Sequence, residues 1–275
     1  MATLQDMEVL LYEAIAAGNL QSVKRLVSSG IGRNAVLHSP NSLEGATVLS
    51  TAAFMGNLEM VQYLVDDGAS INYKDPHMHR NALHWASMGS GTDVVKYLVS
   101  CGADVNALDR DNMSPLLHAA VHRHQTAVGL LVEAGAYVHQ IDRLRCSALH
   151  YAAFHGDSSA VATLVNAGCV HNNAIFGKGT PLANLAASGD IDNVCLLLRA
   201  GYQLSRDDLA IISGLREDSE VVRIMRVHSH LVPTLKQLCR TATRASIKGV
   251  NMQKKLQALP LPCSLIDYLL LKREN

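Results

Sequence analysis

The groups in this 275-residue chain with the chemistry for catalysis or metal binding are thirteen histidines, six cysteines and one glycine-flanked lysine. His118, His122 and His124 stand at i, i+4 and i+6, so only two share a helical face, and no adjacent Cys or carboxylate completes a zinc set. The cysteines, at 101, 146, 169, 195, 239 and 263, form no Cys-x-x-Cys pair. Buried free thiols in a reducing compartment are expected from them. Phe176-Gly177-Lys178-Gly179-Thr180 lacks the Gly-x-x-x-x-Gly-Lys-Ser/Thr order of a phosphate loop. No Ser/His/Asp or Cys/His arrangement stands clear of a packing explanation. The residues therefore offer no candidate catalytic, metal or cofactor site.

The elements that would position any site repeat along the chain. Gly30, Gly68, Gly102, Gly135, Gly168 and Gly201 follow one another at steps of 38, 34, 33, 33 and 33 residues. Thr47, Asn81, Ser114, Ser147 and Thr180 form a second ladder, each able to cap a helix N-terminus. Pro115 and Pro181 suit the first helical position behind their caps. Gly18-Asn19, Gly56-Asn57, Gly156-Asp157 and Gly189-Asp190 each end one helix and cap the next. Stripes such as Val61, Leu64, Val65 and Val95, Leu98, Val99 have helical period. Asp75, Asp109 and Asp142 open turn-rich fingers between the helix pairs, where Asx chemistry favours tight turns.

A period near 33 residues marks stacked units that cannot bury their apolar faces alone. Thr180-Pro181-Leu182, Ser147-Ala148-Leu149-His150 and Ala152-Ala153 resemble the Thr-Pro-Leu-His and Ala-Ala signatures of the ankyrin repeat, over roughly residues 8 to 205. That resemblance implies an all-α fold, an ankyrin-repeat solenoid, with His84 and His150 at a structural histidine position. The expected divisions are a degenerate first repeat at 1–30, an enlarged loop at 31–46, repeats at 47–205 and a capping helical pair at 206–230. A last segment, 231–275, differs in character. Trp85 reads as a framework residue. Apolar content of 48% with only 4% aromatics suits thin helix pairs packed on Ala and Leu.

The net charge of zero hides an asymmetry: before Pro233 there are sixteen basic and twenty-two acidic residues, and from Pro233 onward eight and two. The basic residues of this tail lie among leucines at helical spacing, which favours amphipathic helices over a nucleic-acid contact. Leu235, Leu238, Cys239 and Ala242 share one face. Pro260 and Pro262 hold Leu259 to Pro262 extended, ahead of Leu265, Tyr268 and Leu269. Pattern alone fits either a lid folded on the last repeat or a segment made for a partner.

Thr234-Leu235-x-x-x-Cys239 resembles the elongin-binding box of the SOCS box, and Leu259-Pro260-Leu261-Pro262 with Leu265, Tyr268 and Leu269 resembles its cullin-binding box. Repeats followed by these boxes resemble the ankyrin-repeat and SOCS-box family. The resemblance implies that Leu235, Leu238, Cys239 and Ala242 engage Elongin C, itself bound to Elongin B. It implies that the Leu-Pro-Leu-Pro strip selects cullin-5 with its RING subunit, and that the repeats hold a substrate for ubiquitination. The competing expectation is an ankyrin scaffold without ligase recruitment. Thr243 departs from the aliphatic residue that the family places four positions beyond the cysteine.

In ankyrin arrays the finger tips and the ends of the first helices face the ligand. Here the corresponding positions hold Phe54, Met55, Met88, His122, Phe154 and His155, with Arg110, Asp111, Arg143 and Arg145 on the fingers. Large exposed apolar groups mark contact surfaces, so these residues form the expected substrate face, unless neighbouring loops bury them. Asp104-Val105-Asn106 resembles sites of asparaginyl hydroxylation in ankyrin repeats, which would make Asn106 a modification site; a plain turn residue is the competing reading, and Asn72 is a weaker candidate. The N-terminus carries Asp6, Glu8 and Glu13 before any basic residue, unlike a secretory signal. No apolar run reaches the roughly 18 residues of a membrane span. A cytoplasmic location is expected, or a nuclear one by passive entry or through a partner.

Overall fold

The structure is a computed structural model that describes residues 4–30, 32–37, 45–89, 91–170 and 179–202, together with 204, 208 and 224. All of the expected box residues at 231–275, and the capping pair at 206–230 apart from Asp208 and Ile224, lie outside the described residues.

Twelve helices form six pairs among the described residues. The chain divides into two compact units, Met1–Ala134 and Gly135–Asn275. In the first, the pairs are α1 (Leu4–Ala16) with α2 (Leu20–Ser28), α3 (Val48–Phe54) with α4 (Leu58–Asp66), α5 (Ala82–Met88) with α6 (Thr92–Ser100), and α7 (Pro115–Val121) with α8 (Gln125–Glu133). The first helices α1, α3, α5 and α7 stack in sequence, as do the second helices α4, α6 and α8. In the second unit α9 (Ala148–Phe154) pairs with α10 (Ser158–Asn166) and α11 (Pro181–Ser188) with α12 (Ile191–Arg199); α9 stacks on α11 and α10 on α12.

The helices begin and end where the two ladders put them. Thr47, Asn81, Ser114, Ser147 and Thr180 occupy the N-cap positions of α3, α5, α7, α9 and α11. Gly30, Gly68, Gly102, Gly135, Gly168 and Gly201 all have φ between 85° and 106°. Only a residue without Cβ takes that backbone freely, which is why glycine recurs after each second helix. Gly18, Gly56, Gly156 and Gly189 repeat the device between paired helices, at φ near 70°, and Asn19, Asn57, Asp157 and Asp190 accept backbone N–H groups as N-caps.

Helices of seven to nine residues are too short to persist alone in water, so burial between neighbours stabilises them. Leu49, Leu83, Leu116, Leu149 and Leu182 are all buried, each one position past the start of its helix. Next to them the Ala52-Ala53, Ala119-Ala120 and Ala152-Ala153 pairs let adjacent helices approach closely. In α1, Leu11 and Ile15 are buried while Leu10 is exposed; its side chain falls on the outer face of a helix that covers one side only. The expectation of buried thiols holds for Cys146 and Cys169, whereas Cys101 is exposed and Cys195 half-buried; all four are thiols outside any disulfide. The enlarged loop closes as an antiparallel bridge, Val36 opposite Thr47, with the Leu37 N–H donating to the Ala46 carbonyl at 2.9 Å.

Candidate functional site

Each finger is a tight hairpin hung on a buried aspartate. The N–H of Asp75 donates to the carbonyl of Arg80, that of Asp109 to Met113 and that of Asp142 to Cys146, at 2.9 to 3.0 Å. Their carboxylates accept return bonds: Oδ1 of Asp109 takes the Asp111 and Met113 N–H groups at 2.9 Å, and Oδ1 of Asp142 takes that of Cys146 at 2.8 Å.

The second carboxylate oxygen reaches the following helix. Asp75 Oδ2 accepts the indole N–H of Trp85 at 3.1 Å, Asp109 Oδ2 lies 2.9 Å from His118 Nε2, and Asp142 Oδ2 accepts the Tyr151 hydroxyl at 2.6 Å. Trp85, His118 and Tyr151 share one repeat position, four residues past the cap. Three different side chains thus make the same joint, because each offers a polar hydrogen at the end of a flat ring. Burial, followed by the Asp142 carboxylate, pushes the Tyr151 phenol far above its ordinary range, so it remains a donor.

In the first unit the joints are linked. Arg80 Nε donates to Asp109 Oδ2 at 3.1 Å, with the Asp109 side chain wholly buried, and the Arg80 guanidinium lies 5.3 Å from the centre of the Trp85 ring. Burial opposes the charge on Asp109, yet hydrogen bonds from His118, the Met113 N–H and Arg80 hold its carboxyl well below the usual carboxylate range. Burial lowers the His118 pKa, so the neutral ring donates through Nε2. Burial, with the His118 imidazole beside it, pushes His84 down to about 3. His84 takes the Asn81 N–H on Nδ1 and reaches the Met113 carbonyl with Nε2, both at 3.2 Å. Trp85 is 5% exposed, a framework residue as the repeat position predicts.

The expected substrate-face residues differ in exposure. Met55 is 38% and Phe154 49% exposed, and His122 and Arg110 are also exposed. Phe54 and Met88 are instead half-buried against a core of Ala46 and Trp85. The Phe54 ring meets the Trp85 ring edge-on at 6.0 Å and 85°, a favourable arrangement for two quadrupoles. Asp111 and His155 are half-buried, and Arg143 and Arg145 are exposed. Phe154 and Met55 belong to different units, so the residues expected to form one face are placed within each unit separately.

The histidines lie closer together than their spacing suggests. His84 and His118 meet edge to face at 5.7 Å, His118 and His122 stack at 6.5 Å, and His122 and His124 stack at 6.2 Å. Nε2 of His124 lies 3.1 Å from the Met88 carbonyl, which sets the His122–His124 turn against the end of α5. Among the described residues no group of three His, Cys, Asp or Glu is placed to hold a metal ion, and no helix is long and apolar enough to cross a membrane. Asn106 is half-buried, its N–H donating to Asp104 Oδ1 at 3.0 Å. Asn72 receives the Asp104 N–H at 2.8 Å, a cross-repeat clasp also made between Asn34 and the Ser70 N–H at 3.0 Å.

Two exposed residues on these surfaces were not anticipated. Leu144, at a finger tip between Arg143 and Arg145, is 64% exposed. Arg123 stands where other repeats place the glycine between helices, at φ 62°. The break in the Gly18, Gly56, Gly156, Gly189 series was the sequence signal for it.

Ankyrin repeats match over residues 49–99 and again, as three copies, over 75–142. The SOCS box matches over residues 231–270, which contain Leu235, Cys239 and the Leu259–Pro262 strip. A 117-residue stretch is 28% identical to "Ankyrin repeat protein nuc-2" of Neurospora crassa, covering 42% of this chain and 11% of that protein. The chain thus spans about a tenth of the length of that relative. Helix pairs, capped and ended by the two ladders and followed by the matched box, make this chain an ankyrin-repeat and SOCS-box protein.

Proposed function

We propose that this protein is the substrate-recognition subunit of an Elongin B/C, cullin-5 type ubiquitin ligase. The repeats hold a target protein, the SOCS box recruits the ligase, and catalysis resides in other subunits. The single observation that supports this reading is the SOCS box over residues 231–270, at the end of a repeat array suited to protein binding. Leu235, Leu238, Cys239 and Ala242 enter an apolar groove on Elongin C in the manner of helix-in-groove recognition, where a few anchors carry most of the affinity. Leu259, Pro260, Leu261 and Pro262, with Leu265, Tyr268 and Leu269, select cullin-5 and its RING subunit. The complex works in the cytoplasm, with nuclear entry passive or through a partner.

Affinity capture of the full chain from cells tests the proposal. Elongin B, Elongin C and cullin-5 are expected to co-purify. Leu235→Asp with Cys239→Asp removes all three, whereas Leu261→Ala with Pro262→Ala removes cullin-5 and spares the elongins. Thr243→Val adds an apolar contact in place of a hydroxyl and tightens the elongin complex. A chain that captures none of these subunits is a scaffold rather than a ligase receptor.

A further inference from the structure

Charge is unevenly placed along residues 45–134 of the first unit, with Lys96 the basic residue on the second helices of that stretch. Between residues 45 and 134, Glu59, Asp66, Asp67, Asp93, Asp104 and Glu133 all lie on the second helices or the turns that follow them. On the fingers, Asp75 and Asp109 are buried and occupied by Trp85, His118 and Arg80, and Asp111 is half-buried. His77, His79, Arg110, His122 and Arg123 are exposed on the fingers and at the end of α7. The exposed arginines of this stretch, Arg110 and Arg123, therefore stand off the acidic second helices.

Arg110 precedes α7 and Arg123 follows it. Arg110 is fixed to the preceding finger, its N–H donating to the Met78 carbonyl and its guanidinium to the Pro76 carbonyl, both at 2.9 Å. Arg123 lies at the far end of α7, about 10 Å along a seven-residue helix. The turn that carries it rests on the end of α5 through His124 and the Met88 carbonyl. Half-buried Met88 ends α5 itself, and one repeat further back half-buried Phe54 and exposed Met55 lie at the end of α3, on which α5 stacks. Arg123 also holds a left-handed backbone that disfavours any residue with a Cβ. No hydrogen bond, ion pair or ring contact within the fold employs its exposed side chain among the described residues.

We infer that this side of the first unit receives an acidic peptide segment of the partner, with a large apolar side chain on Met55, Phe54 and Met88 and carboxylates against Arg110 and Arg123. The inference rests on the reading of the repeats as a substrate-binding array and specifies the chemistry of what they hold. Opposite charge steers and orients the segment, while the apolar residue supplies the anchor. A nucleic acid fits less well, since its continuous charge would run onto the acidic second helices and leave the apolar floor unused.

A random dodecapeptide display library selected on the full chain tests the inference, with the best peptide then measured by fluorescence anisotropy. Selected peptides are expected to combine Asp or Glu with at least one Leu, Met, Phe or Trp. Binding should weaken about five-fold in Arg123→Gly, whose backbone suits the turn, and in Met55→Asp, whose site is exposed. It should also weaken as salt rises from about 0.05 to about 0.5 M. Selection without acidic bias, a lysine-for-acid counterpart that binds equally, variants that bind like the parent, or a single-stranded oligonucleotide that binds more tightly would each overturn it. Elongin capture on the same preparations separates the two readings: elongins retained without acidic selection sinks only this inference, and acidic selection without elongins sinks only the ligase assignment.

Discussion

His118 Nε2 lies 2.9 Å from Asp109 Oδ2, and the Asp109 side chain has no contact with solvent. The same carboxylate oxygen takes Arg80 from the preceding finger, so one buried acid ties two successive repeats to one helix. Breaking a buried charged joint leaves an uncompensated acceptor, which is what makes these positions sensitive.

The equivalent joint in the second unit offers the cleanest test. Tyr151→Phe keeps the ring and deletes only the hydroxyl that bonds Asp142 at 2.6 Å. A hydrogen bond to a charged group is worth about 1.5 to 3 kcal/mol, so the variant should lose stability in that range in urea denaturation. An unchanged midpoint would show that water replaces the tyrosine without cost.

Acid should destabilise the first unit at mildly low pH. His84 is neutral in the fold, its pKa pushed from 6.5 to about 3, and the His118 pKa is lowered as well. Below pH 6.5 the unfolded chain takes up protons that the folded chain refuses, so stability falls as pH drops, by about 1.4 kcal/mol per unit for His84 alone. The loss runs from about pH 6.5 down toward the folded value. Asp109 acts later: its depressed carboxyl stabilises the fold above the ordinary carboxylate range, and that contribution fades only as pH falls below it. Thermal melts should be nearly level from pH 7.5 to about 6.5 and then decline toward about pH 4.5, and a flat profile below pH 6.5 would contradict the buried neutral imidazoles.

Asn81 carries a defect that a single substitution should repair. Its Nδ2 is buried with no hydrogen-bond partner among the described residues. The equivalent Ser147 places its hydroxyl 2.8 Å from His150 Nδ1, and a hydroxyl can donate as well as accept. Asn81→Ser should keep the cap, remove the orphan donor and raise stability by about 1 kcal/mol, measured by calorimetry.

Glycine is required at residue 89 by its neighbour. A Cβ there would fall 2.1 Å from the Phe54 carbonyl oxygen, so Gly89→Ala must part α3 from α5 and should cost about 1 to 3 kcal/mol. Arg123→Gly is its converse. Relief of the left-handed backbone should leave the fold as stable or up to about 1 kcal/mol more so, checked by the same urea titration.

The glycine and cap ladders were legible because they act locally: a left-handed residue after a helix, or a side-chain oxygen over the first turn, needs only its own few neighbours. The sequence alone therefore determined which residues cap and end the helices of the described repeats, and it carried the resemblance of the tail to a SOCS box. Tertiary structure decided what occupies the space between repeats. That Trp85, His118 and Tyr151 serve one joint, that Phe54 and Met88 are drawn in against Trp85, and that His84 reaches the Met113 carbonyl all depend on groups brought together by stacking across the chain. Periodicity says which positions are equivalent; whether a side chain there is covered depends on the size and polarity of the residue presented by the next repeat, and the close packing of interiors makes that a property of both partners together.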